Sequence, residues 1–175
     1  VHWIVPLVRV ARSRNLRRIG LGFLVFNVAE WGTWVAILVY AYGHGGATAS
    51  GVVGGVLLLP AALAAPGLAV LADRYPPAWS VLGGYVAQGS TILLVAGAIA
   101  AGAPSLVVYA IALVYSATIV ISRPAQAALL PLLTDTPDEL TATYVVAGWM
   151  ETGALVVGPG VAGILLRAHG VSLVF

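Results

Sequence analysis

Residues 19–42, IGLGFLVFNVAEWGTWVAILVYAY, decide the fold. A helix crosses a bilayer in about 20 predominantly apolar residues, and this run is that long. It holds one formally charged residue, Glu30, near its middle. A charge at the bilayer centre costs roughly 2.5–3.5 kcal/mol on insertion scales. A second charge, Arg123, lies inside the apolar run 106–133. Such residues persist where they face a cavity, pair with one another, or work.

Composition extends that reading to the whole chain. Of 175 residues, 61% are hydrophobic and 8% charged, against about 25% charged in a soluble domain. Mean hydropathy is +1.02. The expected class is an all-α integral membrane protein. There is no cysteine, which excludes disulfides, thiolate metal sites and cysteine nucleophiles. The net charge of +2 comes from eight Arg and no Lys. Arg9, Arg12, Arg14, Arg17 and Arg18 crowd before the first membrane run, so the balance is local and implies no nucleic-acid partner. The chain opens on Val1 rather than Met and stops at Phe175 as another apolar run begins, which reads as a fragment cut within a sixth helix. Residues 1–18 are expected as a basic cytoplasmic or interfacial segment, and residues 19–175 as the membrane bundle.

Five complete spans are predicted, over residues 16–42, 49–72, 80–101, 105–132 and 137–166, with 170–175 opening a sixth. Tyr42-Gly43-His44-Gly45-Gly46 closes the first and Gly102-Ala103-Pro104 the third. Thr136-Pro137-Asp138-Glu139 starts the fifth as a capping box with proline in the first turn. Pro60 and Pro66 should bend the second. Gly51, Gly54 and Gly55, with Gly83, Gly84 and Ala87, suit close helix packing. Cytoplasmic flanks are enriched in basic residues, so the arginine cluster predicts a cytoplasmic N-terminus in a multi-pass membrane protein.

Asn27, Glu30, Trp31 and Trp34 fall at i, i+3, i+4 and i+7 and share one helix face. An amide, a carboxylate and two indoles at mid-membrane suit a cavity wall for an amphipathic compound. Hydrocarbon penalises a charged carboxylate, so Glu30 is the candidate for proton exchange, with Glu151 next; the alternative is a buried Glu that only fixes packing. In the fourth helix Ser122, Arg123 and Gln126 form a polar patch, and Trp149 in the fifth adds an aromatic candidate to the cavity. Arg123 requires an anion. Helix direction makes Glu151 a somewhat easier partner than Glu30, and a substrate anion is the other option. His2, His44 and His169 are scattered and predict no metal site. No catalytic constellation and no phosphate-cradling glycine motif is present, so neither an enzyme nor a bound cofactor is expected.

Four segments carry a family resemblance. Ala29-Glu30-Trp31 looks like the acidic–Trp pair of exporter-type transporters. Ala69-Val70-Leu71-Ala72-Asp73-Arg74 is similar to a loop motif between helices two and three. Arg123-Pro124-Ala125-Gln126-Ala127-Ala128-Leu129-Leu130-Pro131 is similar to a fourth-helix signature of macrolide and siderophore exporters. Gly158-Pro159-Gly160-Val161-Ala162-Gly163 looks like the fifth-helix motif of drug–proton antiporters. In this order the chain resembles the N-terminal six-helix half of a major facilitator superfamily transporter.

The resemblance implies a proton-coupled exporter of a small drug- or siderophore-like compound that works by alternating access. It places Glu30 and Arg123 toward the substrate path. It makes Asp73 and Arg74 a gate, thinned because Pro76, Pro77 and Ala78 replace the usual Gly and basic residues. It makes Gly158, Pro159 and Gly163 a helix bend. Its partners would be the substrate, H⁺, the bilayer, and a C-terminal six-helix half or a second copy. The runs 29–47 and 144–151 are also similar to actinobacterial members carrying a cyclic-nucleotide-binding domain. The alternative function is therefore a non-transporting membrane anchor or sensor coupled to such a module.

Overall fold

The computed structural model describes residues 14–60, 62–63, 67 and 74–169. They form α1 (Arg14–Leu57), α2 (Pro77–Ala100), α3 (Ser105–Leu129), a 3₁₀ turn (Leu130–Leu133) and α4 (Pro137–His169), with no strand among the described residues. Four helical stretches are long and apolar enough to cross a membrane: Leu16–Leu57, Pro77–Ala100, Ser105–Leu133 and Pro137–Arg167.

The first of these is too long to be one straight span. Its 42 residues would reach about 63 Å at the helical rise, against a hydrocarbon core of about 30 Å. Two glycines break it. Gly45 (φ −167°, ψ 18°) and Gly46 (φ 68°, ψ −160°) leave helical geometry, and a positive φ is open to glycine at no steric cost. Beyond them the chain doubles back. The Ser50 hydroxyl donates to the Leu38 carbonyl at 3.1 Å, Gly54 faces the Leu38 side chain, and Leu57 shares a core cluster with Ile37. The predicted closure at residues 42–46 is therefore a helical hairpin turn.

The returning limb is regular as far as Leu57. At Leu58 the amide bonds the Gly55 carbonyl, three residues back, as the chain nears Pro60, which can neither donate nor fit against the preceding turn. Of the rest of the predicted second span, residues 61, 64–66 (Pro66 included) and 68–72 lie outside the described residues, as do Asp73, residues 1–13 and the opening of a sixth helix.

Local chemistry sets the other ends. Gly102, at φ 67°, closes α2 with a Schellman turn: its amide bonds the Ile99 carbonyl, and the Ala103 amide bonds the Ala98 carbonyl. Thr136 caps α4 as the sequence predicts. Its hydroxyl accepts from the Glu139 amide at 3.2 Å, and the Glu139 carboxylate accepts from the Asp135 amide at 3.2 Å. Thr136→Ala should cost about 1 kcal/mol of stability and leave the membrane-depth contacts unchanged. Thermal unfolding of the purified protein in detergent measures it.

The helices pair α1 with α4 and α2 with α3, and α3 also touches α1. Burial between helices supplies little driving force in lipid, because lipid tails are as apolar as the core; close fit does more. Two crossings show that fit. A side chain at Gly84 would strike Ser122, joining α2 to α3, and one at Gly158 would strike Val28 and Gly32, joining α4 to α1. Gly51, Gly55 and Gly83, from the same small-residue clusters, face open space.

Ile37, Leu57, Ala112 and Tyr115 form one core cluster, and Tyr40, Val95 and Val108 another. The exterior carries exposed Val25, Leu93, Leu106, Val156 and Ile164, an apolar coat that suits hydrocarbon rather than water.

Candidate functional site

Three helices converge on one arginine. Arg123 on α3 extends its guanidinium between α1 and α4. Nη2 donates to Glu30 Oε1 at 2.8 Å and Nη1 to Glu151 Oε1 at 2.5 Å. The sequence left open which acid Arg123 pairs with; the structure pairs it with both. A planar fork with two outward N–H edges can serve two carboxylates at once, which a single ammonium does less well.

The environments of the three groups differ. The Glu30 side chain is 11% exposed, that of Arg123 39% and that of Glu151 43%. Glu30 is thus the deep member, and Arg123 with Glu151 forms the accessible edge. Two acids share one base, so the ionised cluster carries one negative charge in excess.

The Gly158–Gly32 crossing brings Glu151 within reach of Arg123. Gly158 and Gly32 let the backbones of α4 and α1 nearly touch: a Cβ at Gly158 would lie 2.7 Å from the Val28 carbonyl and 2.9 Å from the Gly32 nitrogen. Glu151 stands about two turns before Gly158 on α4, and Glu30 lies within that same part of α1. On the other side Tyr115, wholly buried on α3, donates its hydroxyl to the Glu30 backbone carbonyl at 3.0 Å. This locks α1 to α3 beside the carboxylate. The sequence reading did not single out Tyr115. Its signal was available: a tyrosine deep in a membrane helix needs an acceptor for its hydroxyl, and Tyr115 precedes Arg123 by little more than two turns.

The predicted cavity residues separate into groups. Glu30, Trp31 and Trp34 line a cavity of about 180 Å³ with Leu57, Ile119 and Val120. Trp34 also packs on the Ile37–Tyr115 cluster. Asn27 is 1% exposed and donates to the Phe23 carbonyl of its own helix at 2.8 Å, so it sits inside the bundle.

Gln126 is buried and donates to the Tyr85 hydroxyl at 3.2 Å. It borders a second, mostly apolar cavity of about 280 Å³ at the Arg17 end, with Gly20, Phe23, Leu129 and Met150. Trp149 is 65% exposed on α4 and lines neither cavity.

The motif residues divide in the same way. Arg74 is exposed, and Asp73 lies outside the described residues. The α4 helix runs unbroken through Pro159. Gly158 makes the crossing described above, while Gly163 faces open space. His44 is tied to its own helix, its Nδ1 2.8 Å from the Tyr40 carbonyl and its ring 4.1 Å from that of Tyr40. Among the described residues no group of three or more His, Cys, Asp or Glu could hold a metal ion.

Two buried polar atoms, Glu30 Oε2 and Trp31 Nε1, have no hydrogen-bond partner among the described residues. Compared with protein-family models, with curated proteins and with solved structures, the chain shows no match.

Proposed function

We propose that this chain is the N-terminal membrane half of a secondary transporter of the major facilitator type, exporting a small amphipathic compound in exchange for protons. The observation that carries the reading is the cluster in which Arg123 is shared by Glu30 and Glu151 inside membrane-length helices. A purely structural ion pair needs one acid. The second acid leaves an excess charge that a low-dielectric site penalises. A proton on either carboxylate removes the excess, and so does a bound cation or a polar substrate group that solvates it. Loads that satisfy the same charge compete, and competition for one site is the elementary requirement of exchange.

The groups facing Glu30 are Arg123 and Tyr115 from α3, with Glu151 across the guanidinium on α4. Protonation of Glu30 weakens its bond to Arg123 and leaves Glu151 as the counter-ion. The arginine then has two arrangements for a proton to select between, which is what a switch requires. Alternating access needs a second wall, supplied in this reading by a C-terminal half or a second copy.

The test is proton-driven efflux from vesicles, followed against pH for the wild type, Glu30→Gln and Glu151→Gln. Glu30→Gln should lose proton-driven exchange while keeping counterflow of substrate, and its flux should no longer vary with pH. PH dependence that stays unchanged in both variants would remove proton coupling from this cluster. An absence of any transport by the full chain would favour the anchor or sensor role.

A further inference from the structure

The 280 Å³ cavity at the Arg17 end combines two chemistries. It lies where α1, α2 and α4 begin and α3 finishes, at the end of membrane-length spans, where lipid head groups take over from hydrocarbon. Its wall is mostly apolar, and the polar side chains within it are already engaged. Gln126 donates to the Tyr85 hydroxyl at 3.2 Å, and the Thr143 hydroxyl donates to the Glu139 carbonyl at 2.8 Å. The inner space therefore suits a hydrocarbon body with no polar group of its own. Among the described residues Arg17 is the one charged member of the wall. With Leu21, one turn further on, it forms an exposed rim, while Gln126, Leu130 and Thr143 are buried.

Arg17 does not stand alone. Arg14, Arg17 and Arg18 fall at i, i+3 and i+4, share a face of α1, and are all exposed. None of them forms an ion pair with a described residue; both ion pairs among those residues belong to Arg123. Asp135, Asp138 and Glu139 stand at the same end of the bundle but line no part of the cavity. Basic side chains beside a pocket between membrane helices recognise acidic lipid head groups. We propose that this cavity takes one acyl chain of an anionic phospholipid from the bilayer, with the phosphate held by Arg17 and its neighbours Arg14 and Arg18. Along α1 the cavity runs from Leu16 to Phe23, about 10 Å at the helical rise, so it holds part of one chain and leaves the rest of the lipid outside. Hydrocarbon alone gives no preference, because lipid tails are as apolar as the bundle. The arginines choose the head group, and the cavity fixes where it binds. The site is separate from the shared arginine: Glu30 stands 13 residues beyond Arg17, about 20 Å along the helix. Lipid can therefore bind whether or not the chain transports.

The probes are dioleoylphosphatidylglycerol and dioleoylphosphatidylcholine, alike in their chains and different in net charge. Each is titrated into the full chain in detergent, and bound lipid is read by native mass spectrometry. One phosphatidylglycerol should bind saturably, about tenfold tighter than phosphatidylcholine. Arg17→Gln, at an exposed position, should weaken phosphatidylglycerol about fivefold, the worth of one basic residue at an acidic surface, and leave phosphatidylcholine nearly unchanged. Ala147→Phe keeps every arginine and fills the cavity from α4, so it should abolish the saturable site; Val81→Phe should do the same from α2. Circular dichroism identifies a filled variant that fails to fold, and the head-group ranking with Arg17→Gln stands without either.

Equal affinity for the two lipids would overturn the proposal. So would a phosphatidylglycerol preference that survives in folded Ala147→Phe and Val81→Phe, since surface arginines would then suffice without the cavity. Octyl phosphate is a water-soluble anion with a single chain. Displacement of phosphatidylglycerol by a lower concentration of it would assign the cavity to a soluble amphiphile and overturn the lipid. Lipid binding that emerges only after removal of residues 1–13 would overturn it too, and assign the cavity to the chain's own N-terminal segment.

Discussion

Arg123→Gln should be among the most damaging single substitutions in the described chain. It removes the base that Glu30 and Glu151 share and leaves both carboxylates with no other ion-pair partner among the described residues. Breaking a buried pair from one side costs about 3–5 kcal/mol. Arg123 and Glu151 are partly exposed and water screens them, so about 2–4 kcal/mol is the expected loss. In a chain of this size that is a fall of roughly 5–15 °C in melting temperature. Arg123→Lys should fall between, since a single ammonium cannot present two parallel edges to two acids.

Rescue distinguishes charge from packing. Adding Glu30→Gln and Glu151→Gln to Arg123→Gln removes both stranded charges and should recover most of the lost stability without restoring pH-dependent transport. If the triple variant melts as low as the single one, the damage came from lost packing of the arginine stem and the shared-arginine argument fails. Thermal unfolding in one detergent, across the four combinations of arginine and paired acids, decides it.

Gly158→Leu should be as severe for a different reason. Its Cβ would lie 2.7 Å from the Val28 carbonyl and 2.9 Å from both the Gly32 nitrogen and the Trp31 Cβ. Two of these neighbours are backbone atoms of a regular helix and cannot swing aside. Overpacking of a tight site costs about 1–3 kcal/mol, and more where backbone must move. Relief requires α4 to move away from α1, which takes Glu151 out of reach of Arg123. Stability and transport should therefore fall together, and even Gly158→Ala should be harmful.

Gly163→Ala is the internal control. It belongs to the same motif, but its Cβ would meet nothing within 4 Å, and alanine replaces glycine in a helix with a gain of up to about 1 kcal/mol. It should be neutral or stabilising. Equal damage from Gly158→Ala and Gly163→Ala would mean that the motif acts through helix flexibility and not through the crossing with Gly32.

Much of this protein is legible without coordinates. Membrane-length helices follow from apolar runs of about 20 residues, because length and hydropathy are local quantities and the bilayer sets the threshold. Their ends follow from Gly45-Gly46, Gly102 and Thr136-Pro137-Asp138-Glu139, where turn and cap chemistry acts over four or five residues. That Glu30, Arg123 and Glu151 need partners follows from the cost of charge in hydrocarbon.

The sequence alone could not decide who partners whom. Asn27 and Glu30 share a helix face by periodicity, yet Asn27 bonds its own helix while Glu30 reaches across to α3, because a face becomes a wall only when a neighbour is packed against it. Gly158 and Gly163 are equivalent letters in one motif, and only the crossing of α4 with α1 makes the first intolerant and leaves the second free. Arg123 and its two acids lie 93 and 28 residues away along the chain. No local rule spans such distances. Helix pairing sets them, and close backbone approach at Gly32–Gly158 together with the Tyr115 hydroxyl holds one guanidinium within reach of two carboxylates.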